Sequence, residues 1–443
     1  MSESALSDTS RPGSTSYRTT LAGVPVSQLV ERFGTPSYFY DAACIDRRLA
    51  DLSDFDVVRY AQKACSNLSL LKRLRQQGVV IDAVTPGEIH RGLSAGYAPS
   101  GDPAPIVYTS DIFDAEALRL VTELGIHCNC GSPDMIDQLG SVAPGREITL
   151  RINPGFGHGH SQKTNTGGPQ SKHGIWIEQL GDALRRADEA GLMVTGLHMH
   201  IGSGTDMEHL AQVCGAMERA AEQVGRSLKV ISAGGGLPIP YRTGESLVDI
   251  AEYYRLWDET RQRLQTRFGH PLRLEIEPGR YLVAEAGSLV AEIRAIKRMG
   301  QNLFYLVDAG FNDLARPILY GAYHPMSIVS RRGAPDPLEL QPVVVGGPLC
   351  ESGDIFTQQD GGVVAPRMLP PAQVGDWLVI ELAGAYGFVM ASNYNSRQRA
   401  CEVLIDQGEP RLIRRRESYD DLVACERVGE FASQASSAEE CCG

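Results

Sequence analysis

The chain has 443 residues, of which 42% are apolar and 22% charged, and its formal net charge is −12. That length suits two domains with a sizeable core, and the acidic balance excludes a general nucleic-acid binder, which needs a basic face. It leaves room for small anionic ligands, because a local arginine cluster can sit in an acidic protein.

The ten cysteines are scattered, with no Cys-x-x-Cys pair, which speaks against a structural zinc site. No apolar run reaches the ~20 residues of a membrane span, and no basic-then-apolar leader opens the chain. A cytoplasmic protein with reduced thiols, no membrane contact and no nucleic-acid partner is expected.

In chain order, residues 1–20 are rich in Ser and Thr and read as a disordered tail, as does 431–443. Residues 21–44 contain a lone short strand, Ser37-Tyr38-Phe39-Tyr40-Asp41, assigned to a later β domain. Then short β-branched runs alternate with segments of helical period. The runs are 57–64, 79–84, 106–110, 127–130, 148–153, 194–201, 230–233 and 272–277; helical stretches include 114–124, 177–190, 207–224 and 250–268. Eight strand–helix units predict a TIM-like α/β barrel over 45–288, with an open doubly wound sheet as the alternative. Polar or Gly residues gather where strands end: Lys63, Asp82, Thr109, Asn129, Asn153, His200, Gly234 to Gly236 and Glu277. That distribution favours the barrel, whose catalytic groups come from several strand ends rather than one switch point. Across 289–430 the helical periods stop, and short strands at 304–307, 343–345, 377–380 and 403–405 predict a mostly antiparallel β domain.

Several residues carry chemistry. Lys63 ends an apolar strand; it reads either as a snorkelling lysine or as a Schiff-base lysine with its pKa lowered by desolvation. His198 and His200 alternate on one strand face, as the start of a zinc set or as a flat imidazole stacked on an aromatic cofactor, with Gly202-Ser203 offering an N–H and a hydroxyl to an anion. Gly234-Gly235-Gly236 is a tight turn or a place where backbone approaches a phosphate. Glu275 and Glu277 point the same way; such a carboxylate either pairs with a buried arginine or faces a pyridine nitrogen and keeps it protonated, making an electron sink. Cys350 lies between an apolar run and an acidic turn, where a thiol is by default structural. Glu351, Arg316 and Tyr320 suit the polar end of a substrate.

Together, and in this order, the barrel lysine, His200-Ile201-Gly202-Ser203, the Gly run, Glu277-Pro278-Gly279-Arg280, Cys350-Glu351-Ser352-Gly353-Asp354 and Gly384-Ala385-Tyr386-Gly387 resemble the fold-type III pyridoxal-phosphate-dependent decarboxylases. The resemblance runs from about residue 36 to residue 428, and the stretch from Arg151-Ile152-Asn153-Pro154-Gly155 to Ser171-Lys172-His173-Gly174 looks like one bacterial branch of that family. It implies an alanine-racemase-type barrel plus a C-terminal β domain that completes the site. It implies that Lys63 carries pyridoxal 5'-phosphate as a Schiff base and that His200 stacks on its ring. Ser203, Gly235, Gly236, Gly279 and the backbone up to Arg280 hold the phosphate with help from Tyr386, and Glu277 pairs with the pyridinium. Arg280, Arg316, Tyr320 and Tyr386 receive the substrate, Glu351 its distal ammonium. Cys350 comes from a neighbouring subunit and supplies a proton, so a homodimer is implied.

A substrate with an ammonium and a carboxylate at each end needs fixed charges of both signs at its far end. Arg316 beside Glu351 therefore favours meso-2,6-diaminopimelate over D-lysine, D-ornithine or a modified diamino acid. An amino-acid racemase is disfavoured by Glu277, since racemases of this fold place an arginine opposite the pyridine nitrogen. Three segments depart from the family pattern: Thr85-Pro86-Gly87-Glu88 for Ser-Gly-Gly-Glu, His173 for a frequent Phe, and Gln398-Arg399-Ala400-Cys401 for a Pro-rich run.

Overall fold

The computed structural model describes residues 18–156, 167–200, 207–332 and 340–428. The tail assignments at 1–17 and 429–443, and the reading of Ile201-Gly202-Ser203, lie outside the described residues.

The barrel strands are Val57–Ala61, Val80–Ala83, Ile106–Ser110, His127–Cys130, Glu147–Asn153, Met193–His198, Val230–Ser232 and Arg273–Ile276. All pair in parallel; the fifth hydrogen-bonds the sixth and the eighth hydrogen-bonds the first, which closes the sheet. Amphipathic helices cover it, and their starts are written locally. Asn67, Thr85, Asp114, Ser132 and Asp249 each accept a first-turn backbone N–H, satisfying donors that the helix cannot. The expected closed barrel is the observed one.

Five of the eight strands, the first, second, sixth, seventh and eighth, stop before the ends of their runs. The first ends at Ala61, and Gln62–Ala64 form a 3-10 turn. The cause is Gln62, whose buried side-chain amide donates to the Asp82 carbonyl at 3.2 Å and the Glu88 carbonyl at 3.1 Å, drawing the chain off the ladder. Lys63 therefore sits beyond the strand and is exposed at the barrel mouth. This corrects the run 57–64 as a strand and the reading of a Lys63 desolvated at its end; the exposed amine is what the alternative of a lysine reaching water describes. The sixth strand likewise ends at His198 and the eighth at Ile276, leaving His200 and Glu277 on the loops above.

Below the mouth, Arg59 and Glu275 form a buried pair across the first and eighth strands, with Nη2 and Nε of Arg59 at 2.9 and 3.1 Å from Glu275 Oε2. The structural Glu–Arg pairing thus belongs to Glu275. Glu275→Ala leaves the 2%-exposed Arg59 without its counter-charge, an expected loss of about 3–5 kcal/mol, read by chemical denaturation.

The second sheet is built around Gly287–Met299, which pairs antiparallel with Ser37–Asp41, Trp377–Ile380 and Asn302–Val307. Ser37–Asp41 also runs parallel to Cys401–Asp406, and Asn302–Val307 parallel to Gln341–Gly346. The lone N-terminal strand is therefore a central member of this β sheet. Gly384 packs against the Val283 carbonyl so closely that a Cβ there would overlap it, and the Tyr386 N–H donates to the Ala64 carbonyl at 2.8 Å. These contacts seat the β domain on the turn that carries Lys63. Among the described residues, no helix is long and apolar enough to cross a membrane.

Candidate active site

The loops after the barrel strands bring four elements to one mouth. Glu277, 9% exposed, accepts from or shares a proton with His198 (Oε2 to Nε2, 2.8 Å) and receives the Ser232 hydroxyl at 3.3 Å. Burial pushes its carboxyl up, but His198 outweighs that and holds it below the ordinary carboxylate range. Asp82 goes the other way: burial, then the negative charge of Glu277, raise it. Two neighbouring carboxylates with opposed shifts are a mark of a working site. Glu88 is also pushed up by burial, to about 7.

His200 accepts the Gly235 N–H at Nδ1 (2.8 Å), so its neutral ring carries the proton on Nε2. Burial, with Arg151 and Lys63 nearby, pulls its pKa well down and keeps the ring uncharged. His198 and His200 lie nearly parallel, ring centres 6.4 Å apart. No group of three or more His, Cys, Asp or Glu suited to a metal exists among the described residues. Gly235 lies so near the Glu277 carbonyl that a Cβ would overlap it, and Gly236 has φ 97°, a conformation that favours glycine. A Cβ on Gly279 would come within 3.3 Å of Ala61 and 3.4 Å of Ala64, so this residue touches the Lys63 turn.

One side of the mouth is cationic. The Tyr241 hydroxyl accepts from Arg280 Nη1 at 2.7 Å and Arg316 Nη1 at 3.1 Å. Arg280 also stacks on Tyr386, 5.1 Å from its ring centre. Tyr386 holds φ 57°, a left-handed conformation costly for a non-glycine residue. His324 donates from Nδ1 to the Glu381 carbonyl (2.9 Å) and faces Arg316 with Nε2 (3.1 Å). Burial, then Arg316, push His324 down to about 3, so a neutral acceptor pins a guanidinium that burial itself disfavours. Tyr320 is 38% exposed, on the short helix Arg316–Tyr320.

Cys350 and Glu351 are exposed on a separate loop of the β domain. Asp354 makes that loop rigid: its carboxylate accepts the Phe311 N–H at 2.7 Å and the Leu349 N–H at 2.8 Å. The Cys350 N–H donates to Asn395 Oδ1 at 2.8 Å. No hydrogen bond, ion pair or ring contact joins either residue to Lys63, Glu277, Arg280 or Arg316 among the described residues. Cys350 is thus an exposed thiol rather than the buried structural one that its flanking residues suggest.

Two departures from the family pattern have local partners. His173 Nδ1 lies 2.7 Å from Asp111 Oδ2, while the Gly174 N–H donates to Oδ1 at 2.9 Å; burial opposes ionisation of Asp111, but these two donors hold it below its usual range. Gln398 and Arg399 bond to Glu417 within the β domain. Sequence reasoning missed Tyr241, although Pro238 to Tyr241 follows the Gly run after the seventh strand, where mouth residues are expected. It also left His198 without its role as the partner of Glu277.

The family described as "Pyridoxal-dependent decarboxylase, pyridoxal binding domain" matches residues 45–284. The chain belongs to the pyridoxal-dependent decarboxylases. A diaminopimelate decarboxylase of Escherichia coli (strain K12) is 53% identical over 411 residues, covering 92% of this chain and 97% of the relative. A crystal structure of diaminopimelate decarboxylase with 53% identity superposes with a TM-score of 0.87, covering 90% of this chain and 96% of that one. The Helicobacter pylori diaminopimelate decarboxylase, solved in complex with L-lysine, is 30% identical with a TM-score of 0.81 over 90% of this chain and 99% of that one.

The mouth of this decarboxylase fits a pyridoxal group chemically. Asp82 Oδ1 and His198 Nδ1 are buried polar atoms with no hydrogen-bond partner, and Gly235 and Gly279 leave cradles that a Cβ would fill. Glu277 supplies a carboxylate, His200 a neutral flat ring and Lys63 an accessible amine. Glu277→Gln keeps the shape but removes the charge; turnover is expected to fall about ten- to a hundredfold, the weight of one to two pKa units at a partner cation, read as kcat at saturating cofactor.

Proposed function

We propose that this chain decarboxylates meso-2,6-diaminopimelate to L-lysine and carbon dioxide, using pyridoxal 5'-phosphate held by the barrel (45–288), with the β domain (289–430) completing the site. The observation that carries the substrate reading is the convergence of Arg280 and Arg316 on one hydroxyl, Tyr241, beside the Glu277 cradle. Two fixed guanidiniums with a neutral anchor suit a carboxylate remote from the reacting carbon. The identity to diaminopimelate decarboxylases over nearly the whole chain supports the same reading.

When bound, the cofactor supplies an electron sink that accepts the pair left behind as carbon dioxide departs. Lys63 would hold the cofactor through its side-chain amine. Glu277, kept ionised by His198, holds the proton on the ring nitrogen. His200 would stack on the ring, and Gly235, Gly236, Gly279 and Tyr386 would hold the phosphate, with Ser203 as a further donor by the family resemblance. Arg280, Arg316 and Tyr320 orient the distal carboxylate, and Glu351 receives the distal ammonium. Cys350, from the second subunit of a homodimer, delivers a proton from Sγ to the carbon that has lost its carboxylate. Its exposure on a loop fastened by Asp354 suits a group offered to a neighbouring site.

A panel of meso-diaminopimelate, D-lysine and D-ornithine tests this reading, with initial rates of carbon dioxide release and chiral identification of the product. L-lysine from diaminopimelate alone is the expected result. Turnover of D-lysine with none of diaminopimelate would replace the substrate while leaving the cofactor chemistry in place.

A further inference from the structure

The cationic side of the mouth does not end at Arg280 and Arg316. Arg242 follows Tyr241 in the chain, and Tyr323 precedes His324, so the two neutral residues that hold the inner arginines each have a neighbour pointing to a second cluster. In it, the guanidinium carbons of Arg242 and Arg367 lie 4.4 and 3.9 Å from the centre of the Tyr323 ring. Arg367 arrives from an edge strand of the β domain, Arg367–Leu369, and Arg242 from the barrel loop after the Gly run.

The cluster is not neutralised. No ion pair to a carboxylate is formed by Arg242, Arg280, Arg316 or Arg367 among the described residues. Glu245, close in sequence to Arg242, spends one oxygen on the backbone N–H groups of Tyr241 and Arg242 at 2.7 and 3.1 Å. Arg367 Nε is buried without a hydrogen-bond partner, and its Nη1 makes only a long contact to the Ala365 carbonyl, 3.4 Å. Burial, and then the charge of Arg242, disfavour the Arg367 cation. A phenol ring attracts cations, but it removes no charge. Holding two guanidiniums together on one ring, in a chain of net charge −12, makes sense when an anion joins them. Exposure also grades along the row: Arg316 is buried, Arg367 intermediate and Arg242 exposed.

We propose that Arg242, Tyr323 and Arg367 form an outer carboxylate-binding station that captures the anionic end of the substrate and passes it inward to Arg280 and Arg316. The proposal rests on the reading that those two inner arginines take the distal carboxylate. A row of unpaired cations leading into a cleft raises the local concentration of an anion and speeds its arrival, an effect that salt suppresses.

The test uses the cofactor-loaded protein, the double variant Arg242→Gln/Arg367→Gln, and the charge-preserving pair Arg242→Lys/Arg367→Lys. For meso-diaminopimelate at low ionic strength, the glutamine pair is expected to lose about tenfold in kcat/KM, with the loss falling on kcat/KM rather than kcat and fading as salt is added. The lysine pair should recover most of it. In parallel, calorimetry follows binding of pimelate, a dicarboxylate of the same chain length without amino groups, which should weaken about tenfold in the glutamine pair. Equal pimelate affinity in wild type and the glutamine pair would overturn the proposal, as would a loss that is indifferent to salt or equal in the lysine pair, since packing alone would then explain it. A wild-type protein that binds pimelate through these arginines but releases no carbon dioxide from diaminopimelate would remove the substrate reading and leave the carboxylate station standing.

Discussion

Lys63→Ala is expected to abolish the visible absorbance that the cofactor-loaded protein acquires and to cut turnover by roughly four orders of magnitude or more, as losing a covalent catalytic group does. Lys63 is an exposed amine on a turn fixed from three sides. Gln62 anchors it to Asp82 and Glu88, Gly279 packs under it, and the Tyr386 N–H holds the Ala64 carbonyl. Lys229 is committed to Glu147. A competitor among the described residues is Lys172, which lines a cavity of about 390 Å³ with Ser110, Gly131 and Gly174. Absorbance that persists in Lys63→Ala and disappears in Lys172→Ala would move the attachment point there.

Cys350→Ala is the second large effect. Removing a positioned acid costs about 10²–10⁴ in rate, and here kcat should fall in that range while cofactor absorbance stays unchanged, because Cys350 touches none of the residues of the cradle. The proposed homodimer adds a sharper outcome. Mixing Lys63→Ala subunits with Cys350→Ala subunits should raise turnover well above that of either variant alone, since a hybrid pair contains one site with both groups intact. Mixtures that show no such rise, despite exchanging subunits, would mean that the thiol does not act across the dimer.

Much of this architecture was legible before the structure. Seven of the barrel strands carry β-branched residues in short runs, and His127–Cys130 is placed by the strand–helix rhythm; the helical periods at 114–124, 177–190, 207–224 and 250–268 mark four of the covering helices. What the pattern misses depends on contacts distant in sequence. The strand ends are set by side-chain hydrogen bonds such as those of Gln62, so Lys63 was placed inside a strand that stops before it. The long strand Gly287–Met299 registers only as the place where helical periods cease, because its character comes from partners at Ser37–Asp41, Asn302–Val307 and Trp377–Ile380. Glu275 and Glu277 look equivalent on one strand face, yet Arg59 takes the first and His198 the second. Tyr241 carries no motif at all; only the fold shows two arginines meeting on its hydroxyl.

We propose that Lys63 is the residue to which the cofactor is joined. Borohydride reduction of the loaded protein, followed by proteolysis and mass spectrometry of the peptides, reads this directly. The account predicts a single pyridoxyl-phosphate mark on the peptide containing Lys63; a mark on Lys172 or any other lysine, with Lys63 unmodified, would contradict it.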